Sequence, residues 1–210
     1  MLEDDDAIFI RQLVDYSEIL LPVEACNRYE LFNDDETKKF YAYELEGASP
    51  ASWLTRAFLG SLRPFTLRVL DQDNNTLLEV VSPFRFYFHR IGVTSPDTGF
   101  LGTVERRFDL LNKLFFVFDA NNKLLCKLKG PLWKPWTFDI VQNDKTFGSI
   151  KKSWSGSLKE VFTDADCFGV EFPQGANETE KRLLLAAVFL IDFVYFEENP
   201  GKNYLPNIRI

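Results

Sequence analysis

Along most of this chain apolar and polar residues alternate in short stretches, each bounded by a polar turn. Ile8–Val14, Arg28–Phe32, Lys38–Leu45 and Phe65–Leu70 open the series. Leu77–Val81 follows, and then Phe84–His89, where Phe84, Phe86 and Phe88 recur at every second position. Leu101–Phe108, Leu114–Phe118, Lys123–Lys129, Trp136–Val141, Phe147–Trp154, Leu158–Phe162 and Phe168–Phe172 complete it. A period of two puts one face of each stretch toward a core, as in half-buried strands. Asn33-Asp34-Asp35-Glu36, Asp71 to Asn75, Asn121-Asn122 and Gln142–Lys145 separate strands. Asn and Asp suit turns because they bond their own backbone and tolerate left-handed conformations. Ser95–Gly99 reads as a loop, and Ser49-Pro50 opens a short helix through Phe58. Regular spacing of about ten to twelve strands favours an antiparallel barrel or sandwich.

One stretch breaks the alternation. Leu183 to Ile191 is apolar without interruption, and after Asp192 the run resumes as Phe193 to Phe196. Asn177 and Glu180 have the spacing of an N-cap and its N3 partner, and Pro200-Gly201 stops the segment. The pattern predicts a helix of about 20 residues, roughly 30 Å long. A helix apolar on every side must be enclosed by protein or by lipid. Its core is shorter than the roughly 20 apolar residues a span needs, and Asp192 interrupts it. The reading adopted is enclosure by protein, with a membrane span as the alternative. A barrel threaded by this helix satisfies both patterns, since closure removes sheet edges and the helix fills a wide interior.

Composition narrows the function. With 46% hydrophobic and 26% charged residues the chain is globular, and 21 Phe, 7 Tyr and 4 Trp suit a β-rich fold. No composition shift marks a boundary, so residues 1–210 read as one domain, with 1–7 and 199–210 as flexible or peripheral tails. A net charge of −7 argues against nucleic acid as the main partner. Cys26, Cys126 and Cys167 are too few and too scattered for a disulfide framework or a zinc site. With the acidic start Met-Leu-Glu-Asp-Asp-Asp, they point to an intracellular protein, cytoplasmic or peripherally membrane-associated. His89 is the only histidine and reads as an exposed strand residue. Neither a Ser-His-Asp or Cys-His constellation nor a Gly-rich phosphate loop is visible, which argues against an enzyme.

Specific motifs add to this. Gly148-Ser-Ile-Lys-Lys-Ser-Trp-Ser-Gly156, the stretch Phe162-Thr-Asp-Ala-Asp-Cys-Phe-Gly-Val-Glu-Phe172 and Phe189-Leu-Ile-Asp-Phe193 stand in order. Arg63-Pro64-Phe65, Pro83-x-Arg85 and Gly130-Pro131 precede them. From about Ile8 to Glu197 the chain resembles the phospholipid scramblases and their tubby-like relatives. The resemblance implies a twelve-stranded antiparallel barrel enclosing a C-terminal hydrophobic helix. It implies a protein that moves or binds phospholipids at membranes, with calcium as a regulatory ion. Where animal scramblases carry a palmitoylated cysteine run, this chain has Phe86-Tyr87-Phe88-His89, so no palmitoylation site is expected.

The resemblance also nominates residues. Its calcium loop falls on Asp164, Asp166, Phe168, Val170 and Glu171. Asp164, Asp166 and Gly169 fit EF-hand positions 1, 3 and 6, while Phe168 and Gly175 occupy positions 5 and 12, where ligands are needed. A tight turn is the alternative. Arg63, Arg68, Lys151, Lys152 and Lys159 are candidate contacts to lipid headgroups, as in tubby-like relatives that bind phosphoinositides; the alternative is solvated strand ends. The central helix contributes Leu183, Leu184, Val188, Phe189, Leu190, Ile191, Asp192 and Phe193. Asp192 reads either as a titrating group or as a buried acid satisfied by a Trp, an Arg or backbone amides. Trp133 to Trp136 fits a membrane interface or barrel-end packing equally. The partner expected is an anionic phospholipid or phosphoinositide surface, with a protein partner also open. The alternative function is a phosphoinositide- or protein-binding module without scrambling activity.

Overall fold

In the computed structural model the strands close on themselves. The structure describes residues 2–13, 27–45, 64–84, 88–134, 137–152 and 167–195. The strands are β1 (Ala7–Leu13), β2 (Arg28–Asn33), β3 (Lys38–Glu44), β4 (Phe65–Asp71), β5 (Thr76–Ser82) and β6 (Arg90–Ser95). They continue as β7 (Gly99–Arg107), β8 (Asn112–Asp119), β9 (Leu124–Pro131), β10 (Thr137–Gln142), β11 (Lys145–Lys151) and β12 (Cys167–Glu171). Helix α1 (Glu178–Tyr195) follows. Each strand pairs antiparallel with the next, and β12 returns to β1 through Ile8↔Val170 and Ile10↔Phe168. That last pairing excludes a sandwich and leaves no strand edge to template aggregation.

Side-chain alternation sets the register. Phe115 and Val117 of β8 point inward and are buried, while Leu114 and Phe116 are half-buried on the outer wall. A slip of one residue would turn the wall inside out. Gly148, which opens the most specific motif, has a steric reason: a Cβ there would lie 2.4 Å from the Glu171 carbonyl oxygen. Any side chain would push β11 from β12.

The inward faces meet α1. Leu183, Leu184, Val188, Phe189, Leu190, Ile191 and Phe193 all belong to one continuous core with the wall. Phe193 packs against Phe65 at 4.2 Å between ring centroids, and Phe189 meets Tyr29 edge-on at 5.2 Å. Each large apolar side chain so enclosed contributes about 1.5–3 kcal/mol before entropy is deducted. Among the described residues no helix is long and apolar enough to cross a membrane.

The structure differs from the sequence reading in four places. Phe84 and Phe88 lie in no strand and are exposed, between β5, which ends at Ser82, and β6, which starts at Arg90; residues 85–87 of the expected strand lie outside the described residues. Ser95 and Gly99 end β6 and begin β7, so the turn between them is shorter than the expected loop. His89 is buried, and its carbonyl accepts from Arg106 N at 2.8 Å. Residues 2–6 are no loose tail: Leu2 and Asp5 are buried against the start of α1. The expected helix from Ser49, the strand Leu158–Phe162, and residues 199–210 lie outside the described residues.

The two ends of the barrel are unlike. At one end the strands are joined by tight turns. Asn33, Asp71 and Asp119 each accept from the amide four residues on, at 2.8 Å, while Glu36, Asn74 and Asn122 take positive φ. Asn143 and Asp144, both with positive φ, link β10 and β11. We call this the closed end; α1 begins here. The longer connections, such as those from Leu13 to Arg28 and from Glu44 to Phe65, join strands at the other, open end, where α1 finishes.

Candidate functional site

At the closed end the helix is locked. Asn177 Oδ1 accepts from Glu180 N and Glu180 Oε2 accepts from Asn177 N, both at 3.0 Å, completing the capping box that the spacing predicted. Buried Lys181 donates to the carbonyl oxygens of Leu2, Glu3 and Asp5 at 2.9, 2.7 and 2.8 Å. Glu178 accepts from Leu2 N at 2.8 Å and from Arg182 Nε at 2.9 Å. Arg182 also reaches Ser95 Oγ at 2.7 Å and Asp97 at 2.9 Å. The Arg182 guanidinium, with help from Ser95, holds the Asp97 carboxyl well below the usual range. Burial, by contrast, raises Asp5 despite Lys39 at 3.6 Å.

At the open end apolar side chains face outward. Phe108, Leu110, Leu111 and Trp133 are 68–78% exposed, and Phe84, Phe88 and Leu132 are also exposed. The β7–β8 and β9–β10 connections that carry most of them are joined by a bond from Leu132 N to Leu111 O at 3.4 Å. Contiguous exposed apolar surface of this kind marks an interaction face. Cations surround it. Lys113 lies inside the mouth, 5.0 Å from the Tyr195 ring centroid and 5.4 Å from that of Phe138, and burial lowers its pKa. Arg106 covers Tyr195 at 5.2 Å. Arg28, Arg90, Arg107, Lys134 and Lys152 stand on strand ends or loops here. Acids dominate the opposite end, where the turns hold Asp34, Asp35, Glu36, Asp73 and Asp144. Among the described residues the barrel is therefore electrically polarised, although the chain's net charge is −7.

Beneath the open mouth Asp192 is buried and accepts from Tyr29 Oη at 2.7 Å. It is a buried acid satisfied by hydrogen bonding, as one reading had it, and among the described residues a tyrosine is a donor to it.

The nominated sites fare unevenly. Of the calcium candidates, Asp164 and Asp166 lie outside the described residues. Phe168 and Val170 are wall residues of β12 with buried side chains in the core, and Glu171 accepts from Ser149 Oγ at 2.6 Å and Lys151 Nζ at 3.4 Å. These described members do not form an open oxygen-lined loop, because the barrel uses them as a strand. Among the described residues no group of three or more metal-ligating side chains comes together. Of the headgroup candidates, Arg63 and Lys159 lie outside the described residues. Arg68 is tied to Glu79 at 2.7 Å on the wall across the barrel from Lys151 and Lys152, so these three described members do not converge. Trp133 is exposed, and Trp136 lies outside the described residues. Cys126 is pushed up to about 12 and Cys167 to about 11, chiefly by burial, so neither is a thiolate near neutral pH. Sequence reasoning missed the Lys181 lock and the Phe108-Asp109-Leu110-Leu111 turn. The turn was detectable, since apolar residues at a hairpin tip have no wall to pack against.

The scramblase family model matches residues 1–198. The chain belongs to the scramblase family. It is 30% identical over 208 residues to human phospholipid scramblase family member 5, covering 92% of this chain and 75% of that protein. Similarity to human phospholipid scramblase 1 is 30% over 215 residues, covering 96% of this chain and 66% of that protein. A crystal structure of a protein from Arabidopsis thaliana matches with a TM-score of 0.51 and 11% identity, over 90% of this chain and 93% of the other. That likeness concerns the fold alone.

Proposed function

We propose that this scramblase-family protein docks its open end on phospholipid membranes and binds lipid there, without covalent catalysis. The observation that carries the reading is the coincidence at one end of exposed Phe108, Leu110, Leu111 and Trp133 with the cations Arg28, Lys134 and Lys152 on described strand ends and loops. Apolar tips partition into the interface, aromatic rings sit at headgroup level, and each cation near an anionic surface adds about 1 kcal/mol. The acidic closed end is repelled by the same surface, which orients the barrel. Relatives named phospholipid scramblases support the lipid class. The test is co-sedimentation with vesicles containing phosphatidylserine. The chain is expected to pellet with them, less so at high salt, and Leu110→Ser with Trp133→Ser to lower recovery at least about tenfold. Unchanged recovery for that double variant would end the proposal.

A second reading, binding without transbilayer movement, is favoured by the closed wall and the apolar filling of its interior. Headgroups need a polar route, and α1 occupies the place where one could run. The pure chain reconstituted in liposomes is expected to exchange labelled lipid slowly; rapid exchange would reject this reading. No step through calcium is assigned to the described residues.

A further inference from the structure

On much of the outer wall, charges neutralise one another. Arg11 and Lys38 share Glu30, Arg68 meets Glu79, and Arg90 and Arg107 share Glu105. Over β8, β9 and β10 the pattern changes. A groove of about 530 Å³ runs there, from Asp109 and Pro131 at the open end to Asp144 and Thr146 at the closed end. That volume is within the range of small-molecule sites.

Two neighbouring rungs of the ladder furnish it. Leu114, Lys129 and Asp139 stand side by side in one; Phe116, Lys127 and Val141 stand in the next. Each strand's alternation turns both rungs outward. Lys129 and Asp139 are register partners, yet their charges do not close an ion pair, and neither Lys127 nor Asp144 closes one. The Lys127 ammonium rests over the Phe116 ring at 5.7 Å. At the mouth, Asp109 is committed to its own loop, accepting from the amides of Leu111 and Asn112 at 2.9 and 2.7 Å. The groove thus opens beside Leu110 and Leu111, the tips that the proposed docking sets against the membrane.

A ligand of one sign would satisfy half of these charges and be repelled by the rest. A phosphodiester carrying an amine or quaternary ammonium a few bonds away would satisfy both sets. We propose that this groove binds the zwitterionic headgroup of a phospholipid, with phosphate on Lys127 and Lys129 and the cationic group toward Asp139 and Asp144. The acyl chains would stay at the rim, so the inference rests on the membrane-docked reading above.

The test uses the whole chain and monomeric dihexanoylphosphatidylcholine below its micelle concentration, followed by backbone amide shifts. Saturable shifts at Phe116, Lys127, Lys129 and Asp139 are expected. Lys127→Met and Lys129→Met should each weaken binding about tenfold, as loss of a charge-assisted contact does. Inorganic phosphate and choline, titrated separately, should each bind more weakly than the lipid. Absence of groove shifts, or phosphate binding as tightly as the lipid, would overturn the proposal. Vesicle co-sedimentation of the same sample separates the two readings. Groove shifts without vesicle recovery reject membrane docking and leave the headgroup site standing; vesicle recovery with a silent groove rejects the headgroup site alone.

Discussion

The two ends of this barrel use side chains in opposite ways. At the closed end a buried lysine spends its three donors on carbonyls, a buried arginine uses Nε and Nη1 on carboxylates and a hydroxyl, and residues 2–6 seal the start of the helix. At the open end leucines, phenylalanines and a tryptophan face outward. One end is built for stability, and the other presents the surface on which the proposed membrane contact rests. A barrel makes such a division possible, because its turns fall at two separate rims while the wall between them carries the core.

That contrast can be attacked at the lock first. Lys181→Met leaves three buried carbonyls without their donor, at a cost of about 3 kcal/mol in urea unfolding. A loss below about 1 kcal/mol would mean the N-terminal strap is decorative. Tyr29→Phe comes next. It removes the hydroxyl that satisfies Asp192, and a buried acceptor deprived of its donor costs about 1–3 kcal/mol. An unchanged midpoint would show that Asp192 is held by its other neighbours instead.

Acid should loosen the closed end. Asp97 titrates lower in the folded chain than its ordinary value of 3.8, so its pairing with Arg182 stabilises fully above that pH. The contribution is lost as pH falls from there through the depressed folded value. Asp5, raised by burial, acts in the opposite sense and favours the fold more where it is protonated. Stability followed from pH 5 downward should therefore fall less steeply in Asp97→Asn than in the parent chain; equal slopes would remove Asp97 from the account. The smallest effect belongs to the open end. Leu110→Ser with Trp133→Ser should shift stability by no more than about 0.5 kcal/mol while vesicle recovery collapses. A large stability loss there would make the rim part of the core and erase the distinction between the ends.

Much of this was readable residue by residue. The strand series, the capping box at Asn177 and Glu180 and the enclosed run from Leu183 are local patterns, and local patterns survive folding when a core face rewards them. The strand expected over Phe84 to His89 was misplaced at its described ends, because alternation alone does not fix where a strand begins and ends. The candidate cations misled for a related reason. Arg68 and Lys151 look alike in sequence, but closure of the barrel set them on opposite walls and gave each a glutamate.

Period and length along the chain were enough to require a β-wall around an apolar helix, since burial of that helix has few other solutions. They could not assign charges to an end, because the turn that carries each acid or cation joins a rim only once the order of pairing is known. Nor could they bring Lys127, Lys129 and Asp139 onto adjacent rungs, or place Leu2 beside Lys181. Leu2 and Lys181 are far apart in sequence and meet only in the folded chain, while Lys129 meets Asp139 through the register of β9 on β10, which contacts between strands set and the linear pattern leaves open.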